Sequence, residues 1–155
     1  MAHGRMGSLQ NRSAYLAAAV KAVRVRRGMR SADLAARLGL PQRTYEYFES
    51  GCGHPNLERL DAVAEALDAD AHAIRIAMEI GSPAFANRCA DNKLGGLLTY
   101  SLQDFDAAAG DDIALLDPQT LMSAFDELFR QLTEIARHRR RLIDGGPPED
   151  PPRDR

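Results

Sequence analysis

The sequence is poor in cysteine, in long apolar runs and in the residues that favour β-strands. Its two cysteines, Cys52 and Cys89, stand far apart and outside any paired motif. This argues against a disulfide framework and favours a reducing, cytoplasmic compartment. No stretch approaches the roughly 18 to 20 apolar residues that a membrane-spanning helix needs. Residues 1–12 lack the apolar segment of a signal peptide, and we expect them to form a flexible N-terminus.

The residue types that are abundant favour helices. Val, Ile and Thr are sparse, whereas Ala, Leu and Arg are frequent, and this balance favours helix over sheet. The apolar share of 45% and the charged share of 27% are ordinary for a folded, soluble chain. A length of 155 residues suffices for one domain or for two small ones. We therefore predict an all-α protein.

Recognisable catalytic patterns are absent from the sequence. No nucleophile, base and orienting group stand in a known arrangement, and no Gly-rich phosphate loop is present. Cys52 and His54 are close enough to share a metal ion only if two more ligands come from elsewhere. We therefore predict that the protein is not an enzyme and that it needs no cofactor or metal ion.

The small net charge of −2 hides an uneven distribution along the chain. Residues 1–45 contain nine Lys and Arg against one acid, whereas residues 46–80 contain two bases against eight acids. A basic N-terminal third suits a polyanion bound on one face. A solvated basic helix without any partner has the same composition, so charge alone leaves both interpretations open.

Turn residues and apolar spacing divide residues 13–81 into five short helices. Within these segments, apolar residues recur at three- and four-residue intervals. The predicted N-caps are Ser13, Ser31, Asn56 and Asp70, the third helix opens at Pro41, and glycines 28, 39 and 51 follow helix ends. Short loops between five helices are typical of a compact all-α domain.

Residues 82–143 are predicted to form a second helical region. A short helix at 82–90, a polar loop at 91–96 and an amphipathic segment at 97–105 come first. The tail at 144–155 is rich in Pro, Gly and charge, and we expect it to be disordered.

The longest predicted helix starts at Asp117-Pro118 and runs to about Leu142. Its apolar stripe consists of Leu121, Met122, Phe125, Leu128, Phe129, Leu132 and Ile135. Of these we take Leu121, Phe125, Leu128, Phe129 and Leu132 as the candidate dimerisation surface, with the segment from Leu97 to Phe105 as its partner hairpin. The steps of the stripe mix three and four residues, which favours a helical bundle over a long coiled coil. Packing of the stripe within one chain, as an ordinary core, is the alternative.

The break between the second and third helices is unusually tight. Two short helices joined by a turn containing Gly39 have the spacing of a helix-turn-helix unit. The small side chain of Ala35 lets the helices approach, and Leu40 anchors the turn in the core. Such a turn makes the second helix project so that its first residues meet base edges in the DNA major groove. There Gln42 suits adenine, and Arg43 suits guanine or a phosphate.

Residues 16–78 resemble the lambda-repressor/Cro family of DNA-binding domains, also called the xenobiotic-response-element family. The similarity lies in Leu16 and Val20, and in the stretches "RRGMRSADLAARLGL", "PQRTYEYFESG" and "HPNLERLDAVAEALDAD". It covers about 60 of the 155 residues and implies a five-helix domain that binds double-stranded DNA. The stretch "SGCGHP" departs from the family, which often has Lys or Arg there.

The resemblance also implies roles for particular residues. The DNA-binding residues implied are Gln42, Arg43 and Tyr47 as base readers, Thr44 and Ser50 as phosphate contacts, and Ser31 as a phosphate contact through its backbone amide. Apart from the resemblance, Arg30, Arg26 and Arg27 are candidates for DNA-binding phosphate contacts, and simple surface charge is the alternative for them. Arg24 and Glu49 match a pair that forms a structural salt bridge under the reading helix.

We expect a homodimer because a single reading helix touches too few base pairs for tight specific binding. The resemblance therefore implies a repressor of a bacterium or phage that reads a palindromic operator in the cytoplasm, at the nucleoid. An activator that contacts RNA polymerase is one alternative. A protein–protein interaction or antitoxin-like module, in which the C-terminal helices bind a partner, is another. The basic run at 137–141 suits the helix C-terminus, and a second DNA contact or an acidic protein partner is the alternative.

Overall fold

The computed structural model describes residues 9–52 and 57–145, and all regular structure in this part of the chain is helical. The α-helices are α1 (Leu9–Arg26), α2 (Ser31–Arg37), α3 (Gln42–Glu49), α4 (Leu60–Ala66), α5 (Ala71–Glu79), α6 (Pro83–Cys89), α7 (Leu94–Ala109) and α8 (Pro118–Ile143). Two short 3-10 helices cover Leu57–Arg59 and Gly110–Leu115. The prediction of an all-α fold is confirmed. The predictions for Asn56, His54, residues 1–8 and residues 146–155 lie outside the described residues.

The first compact unit ends at Phe105, and its core is built around α1. α1 packs against α3, α5 and α6. The largest fully buried side chains are Leu16, Val20, Val23, Leu34, Tyr45, Leu60, Leu67 and Ile74. Leu16, Val20 and Val23 of α1 recur at the intervals that place residues on one helix face, so the periodicity of the sequence identifies this part of the core.

The first helix begins earlier than the sequence suggests. α1 starts at Leu9, so Ser13 is an interior residue and not its N-cap. Ser13 is also buried, at 6% exposure. No Gly or Pro stands between Leu9 and Gly28, so nothing prevents the helix from extending upstream of Ser13.

The first unit also extends past the domain boundary predicted at residue 81. α6 packs against both α1 and α5, and its Ala86 and Cys89 are buried. Burial raises the pKa of the Cys89 thiol, which is consistent with a packing role for this residue. Residues 82–90 are therefore part of the same core as the five predicted helices.

The predicted loop at 91–96 is wrong at its second half, because α7 begins at Leu94. The Asn92 side chain accepts a hydrogen bond from the Leu94 amide at 3.0 Å. Asp70, buried at 5% exposure, caps α5 through the Ala73 amide at 3.1 Å and also accepts from the Gly96 amide at 3.0 Å. The Asp70 carboxylate thus accepts hydrogen bonds from first-turn amides of both α5 and α7. The contact with α7 joins residues that are distant in the sequence.

The second compact unit begins at Asp106, and α8 is its main element. Asp117 caps α8 as predicted, since its Oδ1 accepts from the Thr120 amide at 3.0 Å. On the predicted stripe, Leu121 is half-buried, and the other six side chains are exposed: Met122, Phe125, Leu128, Phe129, Leu132 and Ile135. Within the described residues, α8 therefore presents an open apolar face.

Candidate nucleic-acid interface

The turn between α2 and α3 is a compact helix stop of the Schellman type. The Leu40 amide donates to the Ala35 carbonyl at 2.9 Å, and the Gly39 amide donates to the Ala36 carbonyl at 3.1 Å. Gly39 takes the left-handed conformation, with φ of +64°, which glycine adopts without a steric penalty. α3 therefore starts only a few residues after α2 ends, in the spacing of a helix-turn-helix unit.

The inner side of α3 is held against α1 by a polar cluster. Arg24 of α1 donates to Glu49 through Nε at 2.7 Å and through a second guanidinium nitrogen at 3.0 Å. The Tyr45 hydroxyl also donates to Glu49, at 2.9 Å, and Arg24 donates to the Met29 carbonyl at 2.6 Å. Burial is the main cause that raises the pKa of Tyr45, and the Glu49 carboxylate is the main cause that raises the pKa of Arg24. These contacts fix the orientation of α3.

The outer side of α3 carries the side chains that the resemblance implies for DNA reading. Gln42, Arg43, Thr44, Tyr47 and Ser50 are all exposed. The inner side consists of buried Tyr45 with half-buried Phe48 and Glu49. The front of α3 is thus open to solvent while its back is packed, as a groove-binding helix requires.

Several of the exposed groups are oriented by hydrogen bonds within this surface. Gln42 donates to Glu46 at 2.7 Å, Tyr47 donates to the Cys52 carbonyl at 3.3 Å, and Ser50 donates to the Tyr47 carbonyl at 2.6 Å. Arg43 has no hydrogen-bond or ion-pair partner among the described residues. Its guanidinium, with five donors, is therefore available to a ligand.

Glu46 is a component of this surface that the sequence reasoning missed. It is exposed and lies one turn after Gln42, whose amide it holds. A carboxylate repels phosphates but accepts a hydrogen bond from cytosine N4. The spacing of four residues from Gln42 was the signal that could have found it.

Arg30 and Ser31 are placed differently from the expectation. Arg30 is the N-cap residue of α2, and Ser31 is the first helical residue, so Ser31 is not the predicted cap. Arg30 forms a two-bond pair with Asp33 at 2.9 and 3.0 Å on the exposed surface. The Arg30 guanidinium is the main cause that lowers the pKa of Asp33. A phosphate contact by Arg30 would have to compete with this neighbouring carboxylate.

Most of the basic charge in the N-terminal third is paired within the fold. Arg26 and Arg27 both bind Asp91, and Arg27 also donates to the Leu67 and Asp68 carbonyls at 2.9 and 2.6 Å. They are therefore structural, and the expectation that they contact phosphates is not supported by their geometry. One acid from later in the sequence, Asp91, therefore offsets part of the positive charge of these two arginines.

Neither a metal-binding cluster nor a membrane-spanning helix is present in the described part of the chain. No group of three or more His, Cys, Asp or Glu there has the geometry to hold a metal ion. None of the helices described is both long enough and apolar enough to cross a membrane.

Comparison with known proteins bears on the same segment. A family model for the helix-turn-helix matches residues 20–72, a range that begins in α1 and ends in α5. It includes α2, α3, the turn between them and the Arg24–Glu49 pair. A search of the curated proteins and a search of the solved structures found no match to the chain.

Proposed function

Because residues 20–72 form a helix-turn-helix domain of the lambda repressor/Cro type, we propose that this DNA-binding transcription regulator is a homodimeric repressor of a palindromic operator. The observation that carries the proposal is the two-sided character of α3. Its inner side is fixed by the Arg24–Glu49 pair, and its outer side is exposed from Gln42 to Ser50. A rigidly held helix with a free polar front can place side chains against base edges.

In the proposed complex, the first turn of α3 reads bases in the major groove. Arg43 donates to the O6 and N7 atoms of guanine, and Gln42 pairs with adenine. Glu46 accepts from cytosine N4, and Tyr47 contacts a thymine methyl or a sugar. Thr44 and Ser50, with the backbone amide of Ser31 at the start of α2, position the helix by binding phosphates.

Dimerisation would supply the second half-site. One reading helix contacts too few base pairs for tight specific binding, and a two-fold dimer doubles the contact with a palindrome. The exposed apolar face of α8 is the surface that supports a homodimer, since monomeric proteins rarely leave such faces open. Occupancy of a promoter by the dimer would then block RNA polymerase at the nucleoid of a bacterial or phage-infected cell.

Selection from random duplexes tests the reading function. The purified chain is mixed with a library of random double-stranded DNA, and the bound fraction is sequenced over several rounds. We expect a motif with two inverted half-sites centred about one helical turn, or roughly 34 to 36 Å, apart. Enrichment of no motif would refute sequence-specific binding, and an asymmetric single site would refute the dimeric mode.

A pair of charge substitutions tests the dimerisation surface. Phe125→Asp with Phe129→Asp should convert a dimer into a monomer by multi-angle light scattering, because both side chains lie on the open face of α8. The matched control is Ser123→Asp with Arg130→Asp, two exposed positions on the opposite side of the same helix. A dimer that survives the first pair of substitutions would place the interface elsewhere.

A protein-interaction module is the second candidate function, and the same open face of α8 favours it. A helix with an exposed apolar stripe can bind a groove in a partner protein, as in an antitoxin-like module. An activator that contacts RNA polymerase would use such a surface as well. A wild-type chain that stays monomeric at micromolar concentration, and that also yields no selected motif, would favour this candidate over the repressor.

A further inference from the structure

The two sides of α8 differ sharply in character. Leu121, Phe125, Leu128, Leu132 and Ile135 follow one line along the helix, and Met122 and Phe129 broaden it. The opposite side carries an ionic ladder, in which Arg130 binds Glu127 and Glu134, both at 2.7 Å. The ladder pairs within one helix and faces away from the stripe. The apolar face is therefore the side of α8 that lacks a partner among the described residues of the second compact unit.

Charge is distributed unevenly along the length of α8. From residue 117 to 130 there are three acids and one base, whereas from 131 to 144 there are four arginines and two acids. Arg139 follows Leu121 by eighteen residues, which is about five turns at 3.6 residues per turn. Arg139 therefore lies in line with the apolar stripe and enters whatever interface the stripe forms.

We propose that two copies of the chain associate through α8 in an antiparallel arrangement. On the side of α8 that carries the stripe, Asp117 is the acid of the first half and Arg139 is an arginine of the second half. An antiparallel pair brings Asp117 of each helix close to Arg139 of the other. A parallel pair would align both arginine-rich halves and place the two Arg139 side chains face to face. It would also align the helix dipoles, whereas an antiparallel pair opposes them. The charge pattern is thus complementary to itself only when the helices run in opposite directions.

The occupant of the stripe is therefore a second copy of the same helix. An unrelated partner would need its own acid to meet Arg139, whereas a second α8 supplies one in Asp117 when the helices are antiparallel. This inference depends on the dimer in the proposed function, and it adds the relative direction of the two α8 helices in that dimer. Antiparallel helices centred near residue 130 set Phe125 of one copy beside Ile135 of the other, and Leu128 beside Leu132.

Pulsed dipolar spectroscopy between spin labels measures the relative direction of the two α8 helices in the dimer. Single cysteines are introduced at Gln119→Cys, Arg130→Cys or Arg141→Cys in the full-length chain, with exposed Cys52 replaced by serine. The three positions are eleven residues apart, so they lie on the same side of the helix. Buried Cys89 stays in place, and the chain carrying only Cys52→Ser is the labelling control.

The antiparallel arrangement predicts distances that depend on position. Two labels at 130 lie at the same level, whereas two labels at 119, or at 141, are separated by about 33 Å along the helix axes at 1.5 Å per residue. The inter-label distance should therefore be shortest at 130 and clearly longer at both ends.

Three results would overturn this inference, and they differ in what else they affect. Equal distances at the three positions would indicate parallel helices and would leave the dimeric repressor intact. A dimer by light scattering without a dipolar signal would place the interface outside α8. A monomer would refute the dimer itself. Each labelled protein is also assayed for binding to the selected duplex, so that a failure of DNA reading is recorded separately.

Discussion

Arg24 of α1 and Glu49 at the end of α3 form an ion pair with two hydrogen bonds, at 2.7 and 3.0 Å. Each side chain is only 11% exposed. Because the Tyr45 hydroxyl donates to the same carboxylate, three buried or half-buried polar groups satisfy one another beneath the exposed front of α3. The pair is therefore a support for the reading helix and does not itself face a ligand.

Removal of one partner of the Arg24–Glu49 pair should lower the free energy of unfolding. Glu49→Ala leaves the Arg24 guanidinium without its carboxylate in a largely buried position, and we expect a loss of about 3 kcal/mol in the free energy of unfolding. Urea denaturation followed by circular dichroism measures it. The matched control is Asp33→Ala, which removes the exposed partner of Arg30 and should change stability little. An unchanged urea midpoint for Glu49→Ala would contradict the supporting role.

Arg43→Ala should weaken DNA binding while it leaves the fold intact. The side chain is exposed and has no partner among the described residues, so its removal costs no internal contact. If it reads one base bidentately, discrimination at that base pair should fall by about 1 to 3 kcal/mol, which is roughly 5- to 150-fold in affinity. Fluorescence anisotropy with the selected duplex and its single-base variants measures this loss.

The control for this substitution is Arg130→Ala, an exposed arginine on α8 that pairs only within its own helix. It should bind the duplex as the wild type does. Equal affinities for wild type and Arg43→Ala at every base variant would remove Arg43 from the reading surface.

The adjacent glycines at the start of α7 should respond oppositely to alanine. A Cβ atom at Gly95 would lie 2.3 Å from the Ala73 amide nitrogen, whereas at Gly96 the nearest atom, of the Asp70 carboxylate, is 3.8 Å away. Gly95→Ala must therefore displace α7 from α5 and should cost about 1 to 3 kcal/mol. Gly96→Ala should be neutral, or stabilising by up to about 1 kcal/mol through helix propensity. Thermal unfolding of both variants distinguishes the two positions, and equal melting temperatures would contradict the close approach at Gly95.

Asp91 should contribute a pH-dependent part of the stability. Arg26 is the main cause, followed by Arg27, that lowers the pKa of the Asp91 carboxyl. A carboxyl whose pKa is lower in the folded state stabilises the fold above its unfolded pKa, near 3.9 for Asp. This stabilisation is lost as the pH falls through the lower, folded value.

The measurement for Asp91 is the difference in melting temperature between wild type and Asp91→Asn as a function of pH. We expect the wild type to melt higher at pH 7 and at pH 5, and the difference to shrink below about pH 4. A difference that stays constant from pH 7 to pH 3 would show that the carboxylate charge is not what ties the α6–α7 turn to α1.

Local signals in the sequence predicted much of the fold. The left-handed Gly39 and the caps at Asp70 and Asp117 each act within a few residues, and the structure has all three where they were expected. Contacts between distant segments were not predictable in this way. The 91–96 segment was expected to be a loop because of its glycines, but Gly95 packs on α5 and the Gly96 amide is held by Asp70.

The same distinction between local signals and long-range contacts applies to the candidate site. The reading side of α3 follows from helical spacing and from the family resemblance, whereas the pairing of Arg26 and Arg27 with Asp91 joins residues more than sixty positions apart. Counting charges along the sequence therefore overstated the basic surface. Glu46 was not assigned to the reading surface, although its spacing of four residues from Gln42 indicates the hydrogen bond between them.

The most direct test of the account is a nuclear magnetic resonance titration of the 15N-labelled chain with the selected duplex. Insertion of the front of α3 into the major groove predicts the largest amide shift changes at residues 42–47, with changes at the start of α2 and little effect on α8. Shift changes confined to α8 or α6, with the amides of α3 unmoved at saturation, would contradict the claim that α3 reads DNA.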